Sequence, residues 1–388
     1  MQQVPSLTVL SMHTSPLAQP GSGDAGGLNV VVMNTARALA RAGTDVHVYT
    51  LGAQAEDTVV EERLSVHTVT TPEHNVPEKH AQRGLVDAFA AAIAAHPAFD
   101  ADAPVHSHYW LSGLAAQRLP RHGARWVHTM HTTATRKAAH GGDPDPERAA
   151  AEERIAAEVD VLTANGPLDR DELIQDLGID PEKVVIVRPG VDTEIFTPDG
   201  PSADWPLPRP QLRPLFAGRL QPYKGPQVAI AAVARLHQEG LDASLRLIGD
   251  PSGPVPTDTV ALAREHGVEQ LVSTLPPVAQ AELAAAYRAA DLVLVPSAHE
   301  TYGLVAAEAL ACGTPVMAHR TGGLTGLVRP GVNGELLEDL EPTTWARALE
   351  PLVRAGAVPQ AWREHAADGA AEQGWDRTAR ELATLLAG

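Results

Sequence analysis

Three stretches of this 388-residue chain set ligand-holding residues at short, fixed spacings. The first, HTSPLAQPGSGDAGGLNVVV from His13 to Val32, is glycine-rich. Gly21, Gly23, Gly26 and Gly27 let backbone approach a ligand closely. Gly26–Gly27 then open a helical pattern whose free N–H groups and positive dipole end suit an anion such as phosphate. Gly21, Gly23 and Gly26 fall at the G-x-G-x-x-G spacing of a dinucleotide fingerprint, which alone is a weak signal, and a nicotinamide oxidoreductase stands behind other readings. The second stretch, GRLQPYKG, holds Arg219 and Lys224 five residues apart between a strand and a helix. A planar guanidinium and a compact ammonium there fit one phosphate group, and strand carboxyl ends are where open α/β sheets bind ligands. The third, PSAHETYGLVAAEALACGTPV, carries Glu300 and Glu308 eight residues apart around the start of a helix. Gly303, Leu304 and Val305 would present backbone N–H groups to a diphosphate. Glu308 lies in an apolar run, where a carboxylate requires a polar partner, and a ribose diol is one.

Positioning such residues takes a regular scaffold. SLTVLSMHTS, TDVHVYTL, LSVHTVTT, PVHSHYW, ARWVHTMHT, DVLTAN and KVVIVRPG read as strands, with helical patterns at Gly27–Ala42, Gln82–Ala95 and Leu168–Leu177. After a proline-rich stretch the alternation resumes with RPLFAGRL, ASLRLIGD, LVSTLPP, DLVLVPS and TPVMAHR, and with helices at Gly225–Gln238, Gln280–Ala290 and Gly303–Ala311. Apolar strands alternating with helices predict parallel sheets covered on both faces. The expected division is a first domain over 1–196, a linker over 197–214, a second domain over 215–374 and a C-terminal helix over 375–388 that crosses back to the first domain.

Composition limits the function classes. Thirty Lys and Arg against 48 Asp and Glu leave a net charge of −18, which disfavours nonspecific binding to nucleic-acid backbone. The single cysteine, Cys312, excludes an internal disulfide, and no Cys/His cluster has zinc-ligand spacing. The opening MQQVPSLTVLSMHTS has no cationic leader followed by a long apolar run, and no stretch reaches the roughly 20 apolar residues of a membrane span. A cytoplasmic protein is expected.

In this order, and in two Rossmann-like halves, the Gly-Gly loop, the R-x4-K loop and the E-x7-E stretch resemble the retaining family-4 glycosyltransferases of the GT-B fold. HTSPLAQPGSGDAGGLN resembles more narrowly the mycothiol-pathway D-inositol 3-phosphate glycosyltransferases, which move N-acetylglucosamine from UDP onto an inositol phosphate. The resemblance implies an α/β chain of two doubly wound domains facing across a cleft that closes on its substrates. It implies a UDP-sugar donor, a small polar acceptor such as an inositol phosphate, no cofactor, no essential divalent metal and no nucleic-acid or membrane partner, and it allows a homodimer. By position, Arg219 and Lys224 would hold the donor diphosphate, Glu308 the ribose hydroxyls and Glu300 the transferred sugar. Gln19, Pro20, Gly26, Gly27, Val278, Tyr302, Gly303, Leu304 and Val305 would complete the donor site. His131, in VHTMHTTA, matches the family histidine near the sugar's C6 hydroxyl and anomeric carbon, and joins Arg219, Lys224 and Glu300 as the catalytic set. His13, Asp24, Asn29, Lys79, Tyr109, Thr132 and Arg148 fall at the acceptor contacts. The sequence around Lys79 and Arg148 departs from the family pattern, which keeps an aminocyclitol open as the alternative acceptor. A sugar-nucleotide 2-epimerase would share the fold but need no acceptor pocket. A non-catalytic nucleotide-sugar-binding protein predicts loss of Arg219, Lys224 or one of the glutamates.

Overall fold

The computed structural model describes residues 4–20, 25–71, 81–139, 143–207, 211–252 and 256–388. Its strands are β1 Ser6–Leu10, β2 Asp45–Leu51, β3 Glu56–Glu61, β4 Leu64–Val69, β5 Val105–His108, β6 Trp126–Thr129, β7 Val161–Ala164 and β8 Val184–Ile186. They continue with β9 Pro214–Ala217, β10 Leu245–Ile248, β11 Val272–Leu275, β12 Leu292–Val295, β13 Val316–His319 and β14 Gly334–Leu337. The first eight form one sheet in the order β3-β4-β2-β1-β5-β6-β7-β8, parallel except where β3 pairs antiparallel with β4. The last six form a parallel sheet in the order β11-β10-β9-β12-β13-β14. Burial explains the apolar runs. Leu292 and Leu294 of β12 point into a cluster with Trp345 and Val233, whereas Val293 and Val295 point into another with Tyr287 and Leu310. A strand covered on both faces leaves no polar alternation.

The chain divides into two compact units. The first holds Gly27–Gly190, Trp375–Gly388 and the segment ending at Ala18; the second holds Val191–Gly374 and Gln19–Gly26. The C-terminal helix Trp375–Ala387 therefore belongs to the first unit. There it packs on the helix Gly27–Arg41, and Thr378 Oγ1 donates to the Arg188 carbonyl at 2.7 Å.

Strand order locates the ligand-binding ends. Doubly wound sheets open a crevice outside the carboxyl ends of two neighbouring strands at the point where the winding reverses. That point lies between β1 and β5 in the first sheet and between β9 and β12 in the second.

Several expectations change. The proline-rich stretch is no free linker where it is described. Arg288 donates to the carbonyls of Pro201 at 2.8 Å and Thr197 at 3.0 Å, Ala203 N donates to Ala285 O, and Trp205 Nε1 donates to Ser244 Oγ at 2.8 Å. Prolines stop regular structure by removing donors, but their carbonyls remain acceptors that neighbouring elements of the same unit engage. PVHSHYW is strand only as far as His108, since the helix Tyr109–Ala116 begins at once. β3 is not evident in the sequence because EDTVVE is an exposed edge strand with no buried face, and GELL of β14 is also not anticipated.

Candidate functional site

In the second unit the R-x4-K and E-x7-E stretches follow β9 and β12, the two strands at the switch point. Lys224 ends a short 3-10 turn, Pro222–Lys224, and Gly225 (φ 79°) caps the helix Pro226–Gln238. A Cβ at Gly225 would lie 2.0 Å from the Pro296 carbonyl oxygen, so only glycine lets the two loops approach this closely. The approach delivers Lys224 Nζ to Glu300 Oε1 at 2.6 Å, where Ser297 Oγ also donates at 2.8 Å. Burial alone would raise the Glu300 carboxyl. The Lys224 charge and hydrogen bond, then Ser297 and His299, outweigh it and hold the group below the usual carboxylate range. Arg219 is half-buried and makes no ion pair among the described residues, which leaves its guanidinium available to an anion. A Cβ on Gly26 would come within 3.7 Å of Arg219 Nε, so Gly26 lies against this cation.

Gly303 (φ 100°) starts the helix Leu304–Ala311. Its Cβ would meet Leu324 Cδ2 at 2.6 Å, and Leu304 and Val305 occupy the helix's first turn half-exposed. One turn on, Glu308 is buried and accepts a 3.1 Å hydrogen bond from the Tyr287 hydroxyl. Burial pushes its carboxyl up to about 8, with the Tyr287 bond pulling the other way. Tyr302 is buried and Val278 half-buried in the same apolar cluster, while Gln19 and Pro20 are exposed.

In the first unit the predicted residues gather at the ends of β1, β5 and β6. Asn29 is held by hydrogen bonds from its side-chain amide to the Ser15 carbonyl at 2.6 Å and from Thr14 Oγ1 to its oxygen at 3.1 Å. The His13 and Tyr109 rings lie 4.9 Å apart, and the Arg148 guanidinium sits 4.8 Å from the centre of the Tyr109 ring. Arg148 is placed by the start of its helix, Pro146–Glu158. Asp145 caps it by accepting from Arg148 N at 3.0 Å, and Pro146 fits the first turn. The side chain is buried and fully directed: Nε donates to Glu152 Oε1 at 2.6 Å and Nη2 donates to the Thr132 carbonyl. Tyr109, Thr132 and Arg148 thus converge; Asp24 and Lys79 lie outside the described residues.

Tyr109 (φ 70°) and His131 (φ 64°) are the non-glycine residues with left-handed backbone among those described. Such conformations cost roughly 1–3 kcal/mol each and persist where the surroundings impose them, as at ligand sites. His131 Nε2 lies 3.0 Å from His108 Nδ1. Burial lowers His131 to about 4, so near neutral pH its ring bonds as an uncharged imidazole.

Sequence reasoning missed the partners. Tyr287 and Glu152 complete Glu308 and Arg148, and Ser297 completes Glu300; the available signals were a lone tyrosine in an alanine-rich helix and an acid four residues after Arg148. It also missed Asp57, His67 and His96, which meet at the β3–β4 edge, with Asp57 Oδ1 2.7 Å from His67 Nδ1 and 3.2 Å from His96 Nε2. His96 Nδ1 accepts from Ala98 N at 3.2 Å, which leaves the ring proton on Nε2 facing Asp57. With His47 Nδ1 3.0 Å from His67 Nε2, the three groups form part of a wider hydrogen-bonded set. No helix among the described residues is long and apolar enough to cross a membrane.

Residues 17–386 match a family model described as family 4 glycosyltransferase in conflict systems. A D-inositol 3-phosphate glycosyltransferase from Actinosynnema mirum is 41% identical over 401 residues, covering 97% of this chain and 95% of that one. Among solved structures, the sucrose-phosphate synthase from Thermosynechococcus elongatus superposes with a TM-score of 0.86 at 25% identity and covers 98% of both chains. Anabaena HepE in complex with UDP-glucose superposes with a TM-score of 0.70 at 18% identity, over 98% of this chain and 99% of that one.

Proposed function

The chain belongs to glycosyltransferase family 4 and has the GT-B fold, and from that premise we propose that it transfers N-acetylglucosamine, or a related hexose, from a UDP-sugar to an inositol phosphate with retention of configuration. The observation that carries this reading is the placement of the motif residues at both topological switch points: Arg219, Lys224 and Glu300 in the second unit, Tyr109, Thr132 and Arg148 beside that of the first. The Actinosynnema relative's name supports the acceptor, and the UDP-glucose in Anabaena HepE supports a UDP-sugar donor.

In this mechanism the C1–O bond to the β-phosphate breaks as the acceptor hydroxyl bonds to C1 on the same face. The hydroxyl proton passes to a phosphate oxygen and UDP leaves. Arg219 and Lys224 stabilise the charge that grows on the diphosphate, so no divalent metal is essential. Retention by double displacement would instead need a free carboxylate beneath C1. Glu300 Oε1 already accepts from Lys224 and Ser297, which suits it to fixed hydrogen bonds with sugar hydroxyls rather than attack. His131, uncharged, serves as a hydrogen-bonding group near the C6 hydroxyl.

The acceptor phosphate would meet Arg148 with Nε and Nη2 committed and Nη1 without a hydrogen bond among the described residues. Removing Arg148 alone would strand the buried Glu152 carboxylate, a loss of roughly 3–5 kcal/mol in stability that would obscure binding. The test therefore uses Lys79→Ala and the paired Arg148→Gln/Glu152→Gln variant on inositol phosphate, free inositol and an aminocyclitol. A hydrogen bond to a charged group contributes about 1.5–3 kcal/mol, so kcat/KM on the phosphorylated acceptor should fall roughly 10- to 100-fold in each variant, with free inositol little affected. Wild-type protein that ignores inositol phosphate and glycosylates the amine would overturn the acceptor assignment while leaving the reaction class intact.

A further inference from the structure

The helix Gln280–Ala289 buries one large side chain among alanines, Tyr287, which is fully enclosed. A buried phenol needs an acceptor, and here it is Glu308 Oε2, 21 residues later on a different helix. The ring is fixed from several sides. Thr314 Oγ1 donates to the Tyr287 carbonyl at 2.7 Å, the Phe196 ring lies 6.1 Å away, and the same apolar cluster contains Ala307, Leu310 and Cys312. Tyr287 is thus a rigid donor aimed at one oxygen of a carboxylate that has no other hydrogen-bond partner among the described residues. With Oε2 occupied, Oε1 is the oxygen left to accept from a ligand.

We propose that Tyr287 is a positioning residue of the donor site: by donating to Glu308 Oε2 it fixes the carboxyl plane and presents Oε1 to the ribose, so that it sets how strongly the site prefers a ribonucleotide over one lacking the ribose hydroxyls. The inference rests on the reading above that Glu308 accepts from the ribose. Burial and the adjacent Glu308 carboxylate push the Tyr287 phenol well above its ordinary range, so it remains a donor at every working pH. Loss of its hydroxyl would also remove the one interaction that lowers the Glu308 carboxyl, so the group would hold its proton to a higher pH still.

The test compares calorimetric Kd values for UDP and 2′,3′-dideoxy-UDP in wild type, Glu308→Gln, Tyr287→Phe and protein with 3-fluorotyrosine at position 287. In wild type UDP should bind roughly 10-fold or more tighter than the dideoxy analogue, the effect expected of one charge-assisted hydrogen bond. Glu308→Gln should remove most of that ratio, and Tyr287→Phe should cut it about 5-fold through weaker UDP binding, with the dideoxy Kd unchanged. A purely structural role would weaken both ligands alike. The fluorinated residue keeps the ring's shape and is a stronger donor, so it should preserve or raise the ratio even if Tyr287→Phe folds poorly. If Glu308→Gln keeps the wild-type ratio, the ribose assignment itself fails. If Glu308→Gln removes the ratio while Tyr287→Phe retains it, or the fluorinated protein loses it, the assignment stands and the Tyr287 proposal is overturned.

Discussion

Glu308 would give the proposed donor site a measurable signature. Its carboxyl is raised to about 8, so below that pH it keeps a proton, and above it both oxygens accept. If it receives the ribose hydroxyls, UDP should bind more tightly as pH rises from 7 to 9, approaching 10-fold per pH unit at most for a single proton released. Glu308→Gln should flatten that dependence in calorimetric titrations, and a wild-type Kd that is independent of pH over this window would remove Glu308 from the site. The sequence displayed Glu308 because a carboxylate in LVAAEALA has no apolar explanation. It did not display Tyr287, because the contact joins residues 21 positions apart through a packing arrangement that local spacing does not encode. The left-handed backbones of Tyr109 and His131 were illegible for a related reason: non-glycine residues adopt that conformation in only a few per cent of cases, and the surrounding fold imposes it.

Among the elements, the strand-to-helix loops do the positioning, and Gly225 is where two of them meet. Gly225→Ala would combine left-handed backbone with a Cβ 2.0 Å from Pro296 O, so the Lys224 loop or the Pro296–Glu300 loop must move. The expected cost is roughly 1–3 kcal/mol of backbone strain, read as a lowered melting temperature, together with UDP binding weakened at least 10-fold. Unchanged UDP affinity in that variant would show that the Lys224–Glu300 pair does not need the loops so close. Elements of this kind were legible where both faces of a strand are buried, as in DLVLVPS, or where alanine-rich runs lie between strands. They were not legible at β3, whose exposed EDTVVE depends on pairing with β4 rather than on its own pattern. The proline-rich stretch misled in the opposite sense: its composition identified a break in regular structure, but the hydrogen bonds from Arg288 that tie it to the second unit come from far along the chain.

At the scale of the whole molecule, two units of one winding type each offer polar side chains at the carboxyl ends of their strands, yet the sets differ in chemistry. The second unit presents a guanidinium with no acidic partner among the described residues and a compensated Lys224–Glu300 pair; the first presents an arginine already matched by Glu152 and laid over Tyr109. That difference fits a unit for a diphosphate and a unit for a smaller polar acceptor, and the net charge of −18 lies largely outside both sets. The most direct test incubates the protein with UDP-N-acetylglucosamine and inositol 3-phosphate in the presence of a chelator, with mass and NMR analysis of the product. The account predicts N-acetylglucosaminyl inositol phosphate with the donor's axial anomeric linkage preserved and a rate unaffected by the chelator. An inverted linkage, transfer that appears only when a divalent metal is restored, or no transfer to any inositol phosphate would contradict it.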